Sequence, residues 1–419
     1  MGNDKKEYEY AEGRYGEIGV DTEDALQLLD CIPVSVHCWQ LDDVGGFEKK
    51  QNARGGGGIL PTGDYPGRAR NMEEMFEDLE KVLSLVPGKK KVNIHAMYGD
   101  FKGKETDRDM IAPQHFDRWI EWAAHNDVGL DFNPSLFSHP MADDGYTLAS
   151  SNEKIRDFWK EHVKRCRAIS DYMGKGLGKV CINNIWIPDG SKDNTVSRLE
   201  HREILRGSLD EVFAIEYPEE NMMDALESKL FGIGVESYTA GSHEFYLNYA
   251  RDRGKLITFD TGHFHPTELV SDKISAVIPF VRGIMLHLSR GVRWDSDHVT
   301  VLNEEITAIM QEIVRAKALD RVFLATDYFD GSINRVGALA LGARTIFKAL
   351  LYALLEPTDR LKEFEEDGDL FSRLALLEDF KTAPFGPVWE KFCSMSGVPG
   401  DFDWAESATD YELKVLNAR

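Results

Sequence analysis

The sequence predicts an α/β chain whose eight parallel strands close into a (β/α)8 TIM barrel. Short apolar, β-branched runs recur eight times over about 300 residues, the strand number such a barrel needs. Helical stretches separate the runs, and that alternation calls for a parallel sheet with crossover helices. No G-x-G-x-x-G opens a helix after any run, which weakens the rival reading of an open, doubly wound nucleotide-binding sheet.

Taken in order, residues 1–30 read as a helix ending in Ala25–Asp30 that leads into the first strand, Pro33–Trp39. A loop over residues 40–70 carries Gly55–Gly58, Pro61 and Pro66. Loops of that length are commonly functional, and four glycines do not hold one conformation cheaply, so the stretch reads as a mobile lid. Asn71 is placed to cap the next helix, with Glu74 at capping-box spacing, and Pro87-Gly88 ends it. The second strand is Val92–Ala96, followed by a helix within Ala112–Asn126, the third strand Gly129–Asn133 and a helix over Asn152–Gly174. Strand four is Val180–Ile187, with a helix around Glu200–Ile215; strand five is Ala225–Phe231, with a helix over Ser242–Gly254. Strand six, Leu256–Asp260, precedes a helix in Lys273–Phe280; strand seven, Gly283–Leu288, precedes one in Asn303–Ala316; strand eight is Val322–Asp327. Residues 1–330 are therefore expected to form the catalytic barrel with an N-terminal helical extension. Residues 331–419, with apolar runs such as GALALGARTIFKALLYALLEP, are expected to form a C-terminal helical extension.

Composition narrows the partners. The chain has 419 residues, 49 Lys plus Arg and 72 Asp plus Glu, for a formal charge of −23. That balance argues against nucleic acid or an anionic membrane surface. Cysteine is sparse and widely spaced, at positions 31, 38, 166, 181 and 393, with no C-x-x-C. Cys31, Cys38 and Cys181 lie in apolar sequence and read as buried thiols, which fits a reducing cytoplasm. The polar N-terminal stretch lacks the apolar centre of a secretory signal, and no run approaches about eighteen apolar residues, so no membrane span is expected.

The chemistry concentrates between Ile257 and His298, which hold Asp260, His263, His265, His287, Asp295, Asp297 and His298. Carboxylates and imidazoles gathered at strand ends are the donor types of a divalent-metal site. The carboxyl ends of the strands are also where barrels of this kind place their chemistry. Reading all strand ends together adds His37, His95, Asn133, Trp186, Glu227, Lys229 and Asp327. Glu227 and Lys229 are two apart, a spacing that a strand places on one face.

E-x-K at Glu227 and Lys229, D-x-x-H at Asp260 and His263, His287, D-x-D at Asp295 and Asp297, and Asp327 occur in this order. That series resembles the xylose-isomerase-like barrels. The segments PVSVHCWQ, LDFNPS, NIWIPDG, ESKLFGIG, VRWDSDHV and DYFD make the chain most similar to the L-rhamnose isomerase family, along nearly its whole length. Classical xylose isomerases carry acidic residues where this chain has Asp260 and His287, and that departure points to the rhamnose branch. The resemblance implies interconversion of L-rhamnose and L-rhamnulose by a metal-assisted hydrogen shift between C2 and C1. It implies two divalent ions, commonly Mn2+, with Co2+ or Zn2+ as alternatives. One ion would be held by Glu227, Asp260, His287 and Asp327, and the other by His263, Asp295 and Asp297. Lys229, Asp327 and His95 would be catalytic, and His95, Trp186, Glu227, Lys229, His263, Asp295 and Asp327 would contact a small aldose or ketose. The resemblance also implies a homotetramer. A metal-dependent hydrolase on the same barrel is the alternative enzyme, since the same donors suit water activation; a non-catalytic sugar-binding protein is a third reading, one that needs no complete ligand set.

Overall fold

The computed structural model describes residues 2–48, 63–229, 237–293 and 295–419. The eight strands are β1 (Val34–His37), β2 (Lys90–His95), β3 (Gly129–Asn133), β4 (Cys181–Trp186), β5 (Met222–Glu227), β6 (Leu256–Asp260), β7 (Ile284–Leu288) and β8 (Val322–Thr326). They pair in parallel around a closed barrel, with β8 returning to β1. A two-residue antiparallel ribbon, Gly190–Ser191 with Tyr238–Thr239, lies outside it.

The helices are α1 (Gly2–Gly16), α2 (Thr22–Cys31), α3 (Met72–Leu83), α4 (Asp117–His125), α5 (Glu153–Leu177), α6 (Arg198–Val212) and α7 (His243–Arg253). They continue as α8 (Val270–Val277), α9 (Glu304–Arg315), α10 (Arg335–Leu354), α11 (Thr358–Glu366), α12 (Leu370–Phe380), α13 (Phe385–Met395) and α14 (Asp403–Lys414). The single N-terminal helix expected over residues 1–30 is two helices, broken where Gly19 takes a left-handed φ of 85°. Local signals set several helix starts. Asn71, Asn152 and Asn303 each accept a backbone N–H from the first turn of α3, α5 and α9. Glu74 reaches back one residue further than a capping box requires, to the backbone N–H of Arg70 at 2.8 Å.

Helix α10 is long and apolar enough by composition to cross a membrane, but 78% of its most apolar window is buried inside the protein. It packs on β1 and against α2, α3 and α9. Its Arg344 is buried, donating to the carbonyls of Leu85 and Pro399 and stacking on Trp389 and Trp404. Helix α13 covers α1, so the two ends of the chain meet on one flank.

The lumen is layered. Ile182, Ala225, Leu256, Met285 and Ala325 form an apolar plug, apart from the larger core between sheet and helices. Above it, towards the carboxyl ends of the strands, the inward side chains turn polar. Two expectations shift here. Strand five starts at Met222 and ends at Glu227, because Met223, Ala225 and Glu227 are the inward set while Asp224 faces α5 and binds Arg167. Lys229 is therefore beyond the strand, and strand alternation does not place it. Cys31 is exposed at the end of α2, whereas Cys38 and Cys181 are buried. The four-glycine stretch read as a lid lies outside the described residues. Its flanks are tied together by buried Arg335, which bonds Asp43 on one side and the carbonyls of Tyr65 and Pro66 on the other.

Candidate active site at the carboxyl mouth of the barrel

Strand register does most of the placing. Asp260 is in register with His287 across β6 and β7, Trp186 with Glu227 across β4 and β5, and His95 with Asn133 across β2 and β3. In-register residues of a parallel ladder point to the same side, and all six line one chamber at the carboxyl mouth. Asp327 follows β8 directly and lines it too.

Glu227, Asp260, His287 and Asp327 are the tightest group, each offering one ligand atom within 4.8 Å of the others. Nδ1 of His287 is 3.0 Å from Asp327 Oδ2 and 3.4 Å from Glu227 Oε2. Yet among the described residues neither buried ring nitrogen makes a hydrogen bond of good geometry. A buried imidazole with unbonded nitrogens facing three carboxylates is a fitting donor set for a cation.

His263 stands beside this group. Its Nε2 is 3.5 Å from Asp295 Oδ2 and 3.8 Å from Asp260 Oδ2, while Nδ1 contacts the Ser228 carbonyl at 2.8 Å. Asp297 lines the same chamber and adopts a left-handed backbone, φ 45°, that Asp tolerates better than most residues. Gly262 leaves room for the acids: a Cβ there would sit 2.8 Å from Asp295 Oδ1 and 3.2 Å from Asp260 Oδ1. Its N–H also donates to Asp260 Oδ1 at 2.7 Å.

Lys229 reaches the chamber although it is outside β5. Its Nζ is 3.4 Å from Asp295 Oδ2 and 5.4 Å from the centre of the Trp186 ring. The lysine's ion-pair partner is therefore Asp295, not Glu227. Trp186 also lies nearly parallel to the His263 ring and against Phe137. His95 is packed edge-on between Trp39 and Phe137.

Three histidines from the sequence reading stay out. His37 spends both ring nitrogens on Thr326 Oγ1 and the Tyr328 carbonyl, pinning the end of β8. His265 is exposed and bonds Thr267. His298 bonds Ser296 and bridges Arg290.

The protonation pattern follows from crowding of like charge. Burial, with the Asp327, Glu227 and Asp295 carboxylates, pushes Asp260 up to about 8 against the pull of His263. Burial and Asp295 likewise raise Asp297. Burial alone would depress His263, but Asp260, Asp295 and Glu227 outweigh it and lift it to about 10. His287 is raised in the same way, burial being overcome by Glu227 and Asp327. Burial lowers His95 to about 3, so it is neutral.

A family model described as L-rhamnose isomerase matches residues 3–419. The chain belongs to the L-rhamnose isomerase family. The L-rhamnose isomerase of Rhodopirellula baltica is 53% identical over 418 residues, spanning all of this chain and 97% of that protein. That of Mannheimia succiniciproducens is 52% identical over 419 residues, spanning both chains fully. That of Bacteroides thetaiotaomicron is 50% identical over 415 residues, covering 99% of this chain and 98% of its own.

In this L-rhamnose isomerase family member, sequence reasoning passed over Asn184, Thr258, Asn93 and Trp39. Asn184 Nδ2 donates to Glu227 Oε2 at 2.6 Å and to Asn133 Oδ1 at 3.1 Å, and its Oδ1 accepts from Thr258 Oγ1 at 2.7 Å. Asn133 passes the chain on to Asn93 Oδ1 at 2.6 Å. Trp39 Nε1 donates to Asp327 Oδ1 at 3.0 Å. Two adjacent amides in an otherwise apolar strand, Asn183-Asn184, were the available signal for this network. Nothing in the local sequence marks Trp39.

Proposed function

We propose that the chain interconverts L-rhamnose and L-rhamnulose as a metal-dependent aldose–ketose isomerase. The observation that carries this reading is identity of 50–53% with L-rhamnose isomerases along essentially the whole chain. A chamber of carboxylates, imidazoles and one lysine supports it. Metal-dependent hydrolysis on the same barrel draws no support from these relatives. The direct test is incubation of purified, Mn2+-loaded protein with L-rhamnose, scored by chromatography for L-rhamnulose; absence of ketose from a metal-replete sample would refute the proposal.

We assign this donor set to two cations. Glu227, Asp260, His287 and Asp327 would hold one, and His263, Asp295 and Asp297, with Asp260 shared, the other. Oxygen plus imidazole donors suit Mn2+, Co2+ or Zn2+, and Mn2+ is the working assignment. When bound, the ions polarise the sugar's oxygens and stabilise negative charge developing there.

Aldose becomes ketose when hydrogen moves from C2 to C1 and a proton passes from O2 to O1. Lys229, aimed across the Trp186 ring, donates a hydrogen bond to the C1 oxygen as charge develops on it. Asp327 is suited to carry the proton between the two oxygens through a water. Burial disfavours its charge, but His287 outweighs that and holds the carboxyl below its ordinary range. Trp39 fixes the other carboxylate oxygen. Neutral His95 binds a sugar hydroxyl and assists ring opening, and Trp186 with Phe137 forms an apolar wall for the deoxy sugar's methyl end. Glu227, His263 and Asp295 complete the substrate contacts.

Two expectations follow from the site. With Asp260 at about 8 and His263 at about 10, both hold protons at neutral pH, and a cation must displace them. Mn2+ affinity should rise with pH between about 6 and 8, by about tenfold per unit for each proton released. Calorimetry in buffers of different ionisation enthalpy reads the released protons directly, and a pH-independent affinity would contradict the ligand assignment. Asn184→Ala removes the donor that orients Glu227 and strands Thr258 and Asn133. It should weaken Mn2+ binding by about 10- to 100-fold, as loss of an orienting partner commonly does. It should also destabilise the fold by about 1–3 kcal/mol. Unchanged metal affinity in the folded variant would show that Glu227 needs no such support.

We also propose a homotetramer, which light scattering of the purified protein would test. A cytoplasmic location is proposed as well, supported by the five cysteines being free; fractionation of cells that express the protein would test it.

A further inference from the structure

At the opposite, amino-terminal mouth of the barrel lies a second cavity, of about 640 Å3. That is well within the size range of small-molecule pockets, which are mostly apolar with a few placed polar groups. Its floor is the underside of the lumen plug, including Ile182, Met285 and Phe323. Its rim carries Lys89, Lys90, Lys91 and Lys179 against Asp127, Asp131 and Asp320, in a chain whose net charge is −23. Two of the lysines are neutralised: Lys91 pairs with Asp131, and Lys179 with Asp127 at 2.7 Å. Lys90 is half-buried and, among the described residues, donates to the Val86 carbonyl at 2.8 Å. Burial lowers its pKa to about 8, with Asp30 opposing. Lys89 is exposed on the same rim.

We propose that this cavity binds a small amphiphilic anion, its apolar body on Ile182, Met285 and Phe323 and its carboxylate or phosphate head at Lys89 and Lys90. The apolar floor accounts for the body, and the two lysines outside the Lys91–Asp131 and Lys179–Asp127 ion pairs account for the head. No residue of the carboxyl-mouth chamber takes part, so the proposal stands apart from the reading of the reaction.

The rim supplies its own reporter. Cys31 lines the cavity and is exposed, while the other four cysteines are buried. Octanoate titrated into the full chain should bind saturably by calorimetry and slow alkylation of Cys31 by iodoacetamide several-fold. Octan-1-ol, lacking the charge, should bind about tenfold more weakly, the scale of a hydrogen bond to a charged group. Lys90→Met should weaken octanoate by a similar factor and leave sugar isomerisation unchanged. Lys89→Gln, at an exposed site that does not threaten folding, should weaken it several-fold. Octyl phosphate run in parallel decides the head group: tighter binding assigns phosphate esters, weaker binding assigns carboxylates. No saturable binding of either anion, equal binding of octan-1-ol, undiminished affinity in both lysine variants, or no protection of Cys31 would each overturn the proposal.

Discussion

Chelation with EDTA, followed by removal of the chelate, is expected to abolish isomerisation, and Mn2+ or Co2+ to restore it. The expectation rests on the charge of the carboxyl-mouth chamber. Glu227, Asp260, Asp295, Asp297 and Asp327 face one another with Lys229 and the imidazoles of His263 and His287 among them. Without a cation the cluster balances itself with protons, as the raised Asp260 and His263 indicate. Those protons occupy the lone pairs that should bind sugar oxygens through metal. In the proposed two-metal site, loss of both cations would remove several kcal/mol of transition-state stabilisation, on the order of a thousandfold or more in rate. The barrel itself should survive, because its closure and apolar plug do not involve the acids. Chelation should therefore lower the melting temperature only by the lost binding energy of the ions. Activity, metal content and melting temperature measured on one sample separate the cases. Full turnover in a verified metal-free protein would end the two-metal proposal.

How much of this was legible beforehand varies with the physics behind each residue. The eight strands were readable because β-branched runs between helical stretches are a local signal, and β3 and β6 match their expected bounds. Strand five slipped because the apolar run of Ala225–Phe231 looks like a strand, while the barrel interior selects the alternation Met223, Ala225, Glu227. The acids and histidines at strand ends stood out because charged groups beside apolar runs are conspicuous. Their sorting did not: His37 and His263 look alike in sequence, and only the third dimension supplies Thr326 and Tyr328 to one and three carboxylates to the other. The amide layer around Asn184 is a set of contacts between residues far apart in sequence, so neither composition nor spacing announces it. Cys31 misled because its neighbours are apolar, yet it closes a helix at the barrel's open amino end.

Lys229→Met is expected to keep the fold and the metals and to lose about a hundredfold in turnover. The ammonium lies over the Trp186 ring, buried, with Asp295 at 3.4 Å as its ion-pair partner. In the proposed reaction it donates to an oxygen that gains charge in the transition state, and comparable donors are worth roughly 3 kcal/mol. Methionine retains the apolar stem, so the packing cost should be small. The loss should fall on kcat with KM little changed, because the interaction strengthens as charge develops. The competing role is structural: Lys229 neutralises Asp295, which also faces His263 and has a buried oxygen with no hydrogen bond among the described residues. If that were all, removing the lysine would leave a carboxylate less compensated. Metal affinity and melting temperature would then shift while turnover of the fully loaded enzyme stayed near normal. Measuring bound Mn2+, melting temperature and kcat together tells these apart, and near-normal kcat in a folded, metal-loaded Lys229→Met protein would remove this lysine from the chemistry.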